Sequence, residues 1–243
     1  MGSIRFESIF GVREQEVKKI CLLIPFINKD ILNYLGINKV NKGWLYSSAN
    51  TKYFTLIHTK IGTSFVGDAV LWLNNTHCQY LFFLGTCGLV SKRQEFDIGE
   101  LIFPSSSWGM ESFSQMLKGE LHLAQKSTPD TMLLKTIKKY LKDSEAHTAV
   151  CATLGSLQIE EALIPFFQER HVEIVDMETS AFFNASRHIK RKAAAVLVVS
   201  DILKEKPFYE KQDAIYKEYV KISLQKGAAA ITAFAKDMLS SCH

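Results

Sequence analysis

Three short polar clusters stand at the ends of apolar runs, and their side chains could carry chemistry. Gly85-Thr86-Cys87-Gly88 follows the run at 80–84. Two glycines around a hydroxyl let the backbone approach a ligand closely, with N–H groups and the Thr86 hydroxyl free to hold oxygen atoms. Asp176-Met177-Glu178 follows the run at 172–175, and a carboxylate there could accept hydrogen bonds from a sugar diol. Ser200-Asp201 follows the run at 193–199. An aspartate partly withdrawn from water has a raised pKa and is equipped to donate a proton. Taken singly, each cluster has a plainer reading: a tight turn for the glycine pair, helix caps for Asp176 and Asp201, and a favourable charge at a helix start for Glu178. Three such clusters at three strand ends argue together for a site, because open α/β sheets bind ligands outside the carboxyl ends of their strands.

The elements that must position these clusters follow from the apolar pattern. It predicts strands at 20–24, 53–58, 80–84, 100–103 (closed by Pro104), 148–154, 172–175 and 193–199. The last is almost wholly apolar, as a central strand covered on both faces should be. Phe65, Val66, Ala69, Val70 and Leu73 recur at helical spacing and predict a helix over 64–73. Further helices are predicted at 130–141, 158–168 and 179–188, and over most of 209–239, with a Ser-rich loop at 105–107. Strands alternating with helices predict an α/β fold: a mainly parallel sheet with helices on both faces.

The chain has 243 residues, of which 47% are hydrophobic and 22% charged. A chain of this length buries roughly 70–75% of the surface its unfolded form exposes, so it can build a core without disulfides or metals. One domain over residues 1–243 is expected. Lys and Arg number 29 against 25 Asp and Glu, a net charge of +4. The basic residues are dispersed, densest at 187–192 and at Lys138-Lys139, and do not interleave with aromatics. A nucleic-acid partner is therefore not expected. The five cysteines, Cys21, Cys78, Cys87, Cys151 and Cys242, form no CxxC, and no two of the seven histidines lie three or four residues apart. No metal and no cofactor are expected. The longest clean apolar run, 193–199, is far short of the roughly 20 residues that cross a bilayer, so no membrane partner is expected. Residues 20–27 follow Lys18-Lys19 but are short and contain Pro25. They read as a buried first strand, with the protein in the cytoplasm.

A larger pattern joins the clusters: Ile61-Gly62; Gly85-Thr86-Cys87-Gly88-Leu89; Ile98-Gly99-Glu100-Leu101; residues 172–181 with Asp176-Met177-Glu178 at their centre; and Val198-Val199-Ser200-Asp201. In these residues the chain resembles the nucleoside phosphorylase and nucleosidase superfamily. That group includes purine nucleoside phosphorylase, uridine phosphorylase, methylthioadenosine/S-adenosylhomocysteine nucleosidase and futalosine hydrolase. The resemblance runs from about the first strand to the last helix. It implies a three-layer α/β/α fold around a twisted, mainly parallel mixed sheet, and a homodimer or higher homo-oligomer. It also implies a small nucleoside substrate with water or phosphate as co-substrate. It implies that Glu178 grips the ribose hydroxyls, that Met177 packs beneath the sugar, and that Asp201 protonates N7 of a departing purine with Ser200 orienting it. Thr86, beside Gly85, matches the hydroxyl residue that faces phosphate or the attacking water. Leu157 stands near the place of the family's base-stacking phenylalanine.

The departures bear on the co-substrate. Phosphorylases of the group carry an arginine two residues before the glycine, where this chain has Phe83. They also carry a Gly-Asp-Pro-x-Arg segment near the first strand, where it has Ile24-Pro25-Phe26-Ile27-Asn28-Lys29. An apolar ring cannot replace a guanidinium fork toward a dianion. Hydrolases of the group use a glutamate after the first strand to activate water. Asp30 is the candidate for that place, and Lys29, a candidate phosphate contact, competes for it. The expected activity is hydrolytic cleavage of a purine-type nucleoside. The alternatives are a phosphorylase that takes phosphate through lysines or a neighbouring subunit, and a nucleoside-binding protein that retains the sugar grip without catalysis.

Overall fold

A computed structural model describes residues 2–92, 96–142 and 145–240; Cys242 lies outside them. The strands are β1 (Ile20–Ile24), β2 (Asn41–Lys42), β3 (Ser47–Asn50), β4 (Thr55–His58), β5 (Tyr80–Leu89), β6 (Leu101–Met110), β7 (Gln125–Ser127), β8 (His147–Leu154), β9 (Ile174–Asp176) and β10 (Lys192–Ile202). The helices are α1 (Gly2–Phe10), α2 (Lys29–Tyr34), α3 (Thr63–Trp72), α4 (Phe113–Lys118), α5 (Thr131–Lys138), α6 (Ile164–Glu169), α7 (Thr179–His188) and α8 (Ala214–Ser240).

All ten strands belong to one mixed sheet. Its long pairings are parallel: β5 with β10, β6 with β8, and β1 with both β4 and β5. β5, β10, β6, β8 and β9 pair in a ring and close that end of the sheet on itself, through short antiparallel contacts of β6 with β10 and of β9 with β5. β4, β3 and β2 extend the open end beyond β1.

Alternation along the central strands makes the three layers. Leu23, Phe83 and Leu197 face α3 and α7 through Val66, Val70 and Phe182. Leu22, Phe82 and Val196 face the other way, toward Leu133 and Ile137 of α5 and Ile231 and Phe234 of α8. A third cluster, with Phe166, Phe167, Val172 and Val175, packs under the segment that leads to β9. The three-layer α/β/α arrangement expected from the sequence is present. No helix among the described residues is long and apolar enough to cross a membrane.

The structure departs from the sequence pattern in three places near the site. Gly85-Thr86-Cys87-Gly88 is not a turn after a strand but the second half of β5, because β10 pairs alongside it from Lys192↔Tyr80 to Ile202↔Leu89. Residues 105–107 are likewise strand. β6 passes Pro104 because its pairing with β8 shifts register between Pro104 and Ser106, and β10 pairs only with Leu101 and Ile102. The helix predicted at 158–168 is a single 3-10 turn, Glu161–Leu163, followed by the short α6. The elements α1, α2, α4, β2, β3 and β7 carry no strong periodicity and were not predicted.

Candidate active site

A cavity of about 210 Å³ opens at the carboxyl ends of β1, β4, β5, β9 and β10. Each strand end delivers a different group to it. Thr86, Cys87 and Gly88 come from β5, Asp176 from β9 with Met177 and Glu178 directly after it, and Ser200 and Asp201 from β10. Leu157 and Glu160 close it from the segment before α6, and Phe26, Ile61 and Phe208 form apolar walls.

Asp201 is aimed by an irregularity in β10. The pairing with β5 shifts register between Val199 and Asp201, so Ser200 is an extra residue and the chain twists there. The Ser200 hydroxyl donates to Asp201 Oδ1 at 2.6 Å and lies 3.2 Å from the Cys87 carbonyl oxygen. Gln212 Nε2 donates to the Ser200 carbonyl at 2.5 Å, which holds the bulge from the far side. Asp201 lies against Gly88: a Cβ on residue 88 would stand 2.7 Å from Asp201 Oδ2. Burial raises the Asp201 pKa, and the Ser200 hydrogen bond only partly opposes it.

Asp176 and Glu178 divide their work. Asp176 accepts from the Thr179 N–H at 2.8 Å, the Thr179 hydroxyl at 2.5 Å and the Thr153 hydroxyl at 2.6 Å. It therefore ties the first residue of α7 to the end of β9, and its oxygens are committed to the fold. The Glu178 carboxylate accepts from the Gly62 N–H at 2.6 Å and also from the backbone N–H of Met177 beside it. Gly62 has φ +115°, a conformation that favours glycine and turns this N–H toward Glu178. Burial first, and then the charge of Asp176, push the Glu178 pKa up to about 8.

Four carboxylates thus line the cavity, all nearly buried: Asp176 at 4% exposure, Glu178 at 4%, Asp201 at 5% and Glu160 at 3%. Among the described residues no lysine, arginine or histidine lines it, and no group of three or more His, Cys, Asp or Glu is arranged to hold a metal ion. Such a site can donate protons, accept from hydroxyls and stabilise positive charge. It offers a dianion nothing but the Thr86 hydroxyl and backbone N–H groups.

Of the residues singled out from sequence, Asp201, Ser200, Glu178, Met177, Thr86 and Leu157 share this cavity. Three do not reach it. Gly85 is buried in β5, where an added Cβ would meet the Phe83 ring at 2.9 Å. Asp30, in the first turn of α2, is bridged to Lys221 of α8 at 3.2 Å on the surface. Lys29 is exposed at the start of the same helix. The wall after β1 is formed instead by Pro25 and Phe26. Phe83 points into the core against Phe182, ring centroids 5.6 Å apart. Sequence reasoning missed Glu160, Phe26 and Phe208. Glu160-Glu161 in an amphipathic run looks like a solvated face, and Phe208 lies in an irregular stretch before α8.

The superfamily model for the phosphorylases matches residues 10–240. The chain belongs to the phosphorylase superfamily. No curated protein sequence gives a significant match. Among solved structures the chain is similar to the 5'-methylthioadenosine/S-adenosylhomocysteine nucleosidase of Campylobacter jejuni, with TM-score 0.70, 17% identity, and 90% of this chain and 99% of that one covered. It is similar also to the AMP nucleosidase of Bacteroides thetaiotaomicron, with TM-score 0.71, 16% identity and 98% and 97% covered. The Streptococcus pneumoniae MTA/SAH nucleosidase in complex with 8-aminoadenine gives TM-score 0.66 at 16% identity, covering 90% and 99%. At these identities the likeness is one of fold. It extends over nearly the whole of each chain, so the superfamily's architecture is carried here without a missing layer.

Proposed function

We propose that this protein hydrolyses the N-glycosidic bond of a purine nucleoside. The observation that carries the reading is the charge of the cavity: four nearly buried carboxylates and, among the described residues, no cation. Breaking the C1'–N9 bond leaves positive charge on the ribose and sends the bonding electrons into the base. Carboxylates oppose the first, and a protonated carboxyl relieves the second. In this reading the ribose hydroxyls displace the Gly62 N–H as partners of Glu178, and Met177 packs on the sugar. Asp201, oriented by Ser200, passes its proton to N7 as the bond breaks. A water held by the Thr86 hydroxyl adds to C1' and loses a proton to solvent, and Asp201 recovers its own proton from solvent. The structural neighbours with purine nucleosidase names support the same reading.

Incubation with a panel of nucleosides, with and without phosphate, tests it. Free base with free ribose is expected in both conditions. Ribose 1-phosphate, formed only when phosphate is present, would overturn it in favour of phosphorolysis. One feature favours a second reading, a nucleoside-binding protein without turnover. Asp30 is paired with Lys221 and the wall after β1 is apolar, so that wall offers no carboxylate to activate water. Retained nucleoside binding with no release of base would identify it.

The resemblance supports a homodimer or higher homo-oligomer, a cytoplasmic location and a role in purine salvage. The continuous sheet supports reading residues 1–243 as one domain.

A further inference from the structure

Glu160 is an anomaly in the cavity wall. It is 3% exposed, yet no hydrogen bond or ion pair satisfies its carboxylate among the described residues. Its backbone is committed, with its N–H donating to the Leu157 carbonyl and its carbonyl accepting from Leu163, so the main chain is fixed while the side chain faces the cavity. Its carboxylate oxygens are open to the cavity rather than sealed in the core, so a bound ligand can supply the partner that the described residues do not. Asp201 lies close enough that its charge, after burial itself, helps to push the Glu160 pKa up to about 7, with Glu161 adding a smaller share. Both carboxyls look into one cavity from different elements, Asp201 from β10 and Glu160 from the segment before α6.

We infer that Glu160 reads the 6-substituent of the base and selects a 6-amino purine over a 6-oxo purine. This rests on the reading of Asp201 as the proton donor to N7. On a purine, N7 and the 6-substituent share one edge: adenine presents an acceptor and an amino donor there, and hypoxanthine-type bases present two acceptors. A carboxyl beside the N7 donor therefore meets position 6. An ionised carboxylate accepts from an amino group and repels a carbonyl oxygen. The 6-amino group supplies the partner that Glu160 lacks, whereas a 6-oxo group leaves both acceptors unpaired, and sites built around a hydrogen bond reject analogues that cannot make it.

The test compares adenosine with inosine at pH 8, where Glu160 is ionised, in wild type and in Glu160→Gln. Glutamine keeps the shape but offers both a donor and an acceptor, so it can pair with either base. Wild type is expected to favour adenosine by at least tenfold in kcat/KM, and Glu160→Gln to bring the ratio within about twofold of unity, mainly through inosine gaining. Glu160→Asp should retain part of the preference, which a merely structural role would not produce. Calorimetric titration with free adenine and free hypoxanthine separates this inference from the hydrolase reading. If no nucleoside is cleaved but adenine binds more tightly than hypoxanthine in wild type and not in Glu160→Gln, the base-reading role stands and hydrolysis falls. An unchanged preference in a folded Glu160→Gln protein, or equal or absent binding of the two bases by wild type, overturns the inference.

Discussion

Glu178 and Asp201 are opposite uses of the same physical cost. Both are carboxyls denied water, and both have raised pKa values, with burial as the first cause. For Asp201 the retained proton is the reagent. Asp201→Asn keeps the shape and removes the acid, so turnover should fall by about 10²–10⁴, with the melting temperature little changed; near-wild-type kcat would remove Asp201 from the chemistry. For Glu178 the proton is an obstacle, since a sugar diol donates best to the ionised form. Its pKa is about 8 in the fold against 4.5 in the unfolded chain, so the folded state holds an extra proton between those values. The stability this group contributes is full below pH 4.5 and is lost as the pH rises toward 8. Nucleoside binding runs the other way and should tighten from pH 6 to 8, with a proton released on binding. Titration calorimetry in buffers of different ionisation enthalpy checks both the trend and the proton; Glu178→Gln should reduce both, leaving the share that Glu160 contributes.

At the scale of elements, the site depends on how β5, β9 and β10 end. The bulge at Ser200 brings Asp201 beside Gly88, where the 2.7 Å separation from a virtual Cβ leaves no room for a methyl group. Gly88→Ala should displace the Asp201 carboxylate and lower kcat at least tenfold, while melting shifts by only a few degrees; full activity would show that the carboxylate need not be where it stands. Asp176 is the converse case, a carboxylate spent on the fold. Asp176→Ala unties the first residue of α7 from β9 and strands the buried Thr153 and Thr179 donors. It should cost about 2–4 kcal/mol by chemical denaturation, an expectation that a loss under 1 kcal/mol would defeat.

These same elements show what the sequence made legible. The helix predicted at 179–188 coincides with α7, Thr179–His188, because a cap, a periodic face and an apolar strand on either side all agree. β5 was cut short at residue 84 because glycines punctuate local patterns, and only the long pairing with β10 carries the strand through them. Asp201 and Glu178 could be picked out by residue type at strand ends. Glu160 could not, since its burial is decided by Phe208 and the 157–163 segment folding over the strand ends rather than by its neighbours in sequence. Asp30 drew notice by proximity to β1, but α2 turns it toward Lys221.

Over the whole molecule the charge is divided. The chain carries +4, yet the cavity is lined by acids alone among the described residues that can ionise near neutral pH, apart from the buried Cys87 thiol, whose pKa burial raises well above its usual value. The position where phosphorylases of the group place an arginine is Phe83, fixed in the core against Phe182 and so not available to turn outward. An anion entering this cavity would lose its hydration without a fixed cation in return, and it would hold the surrounding carboxyls in their protonated form. A 5'-phosphate is such an anion, so the absence of a lining cation among the described residues favours a substrate without one. Adenosine or 5'-methylthioadenosine should be cleaved at least tenfold more efficiently than AMP in kcat/KM, and added inorganic phosphate up to 10 mM should neither speed the reaction nor enter the product. Because these acids are buried, raising the ionic strength should change the gap little. A rate for AMP equal to that for adenosine, or acceleration by phosphate, would mean that a cation from outside the described residues completes the site.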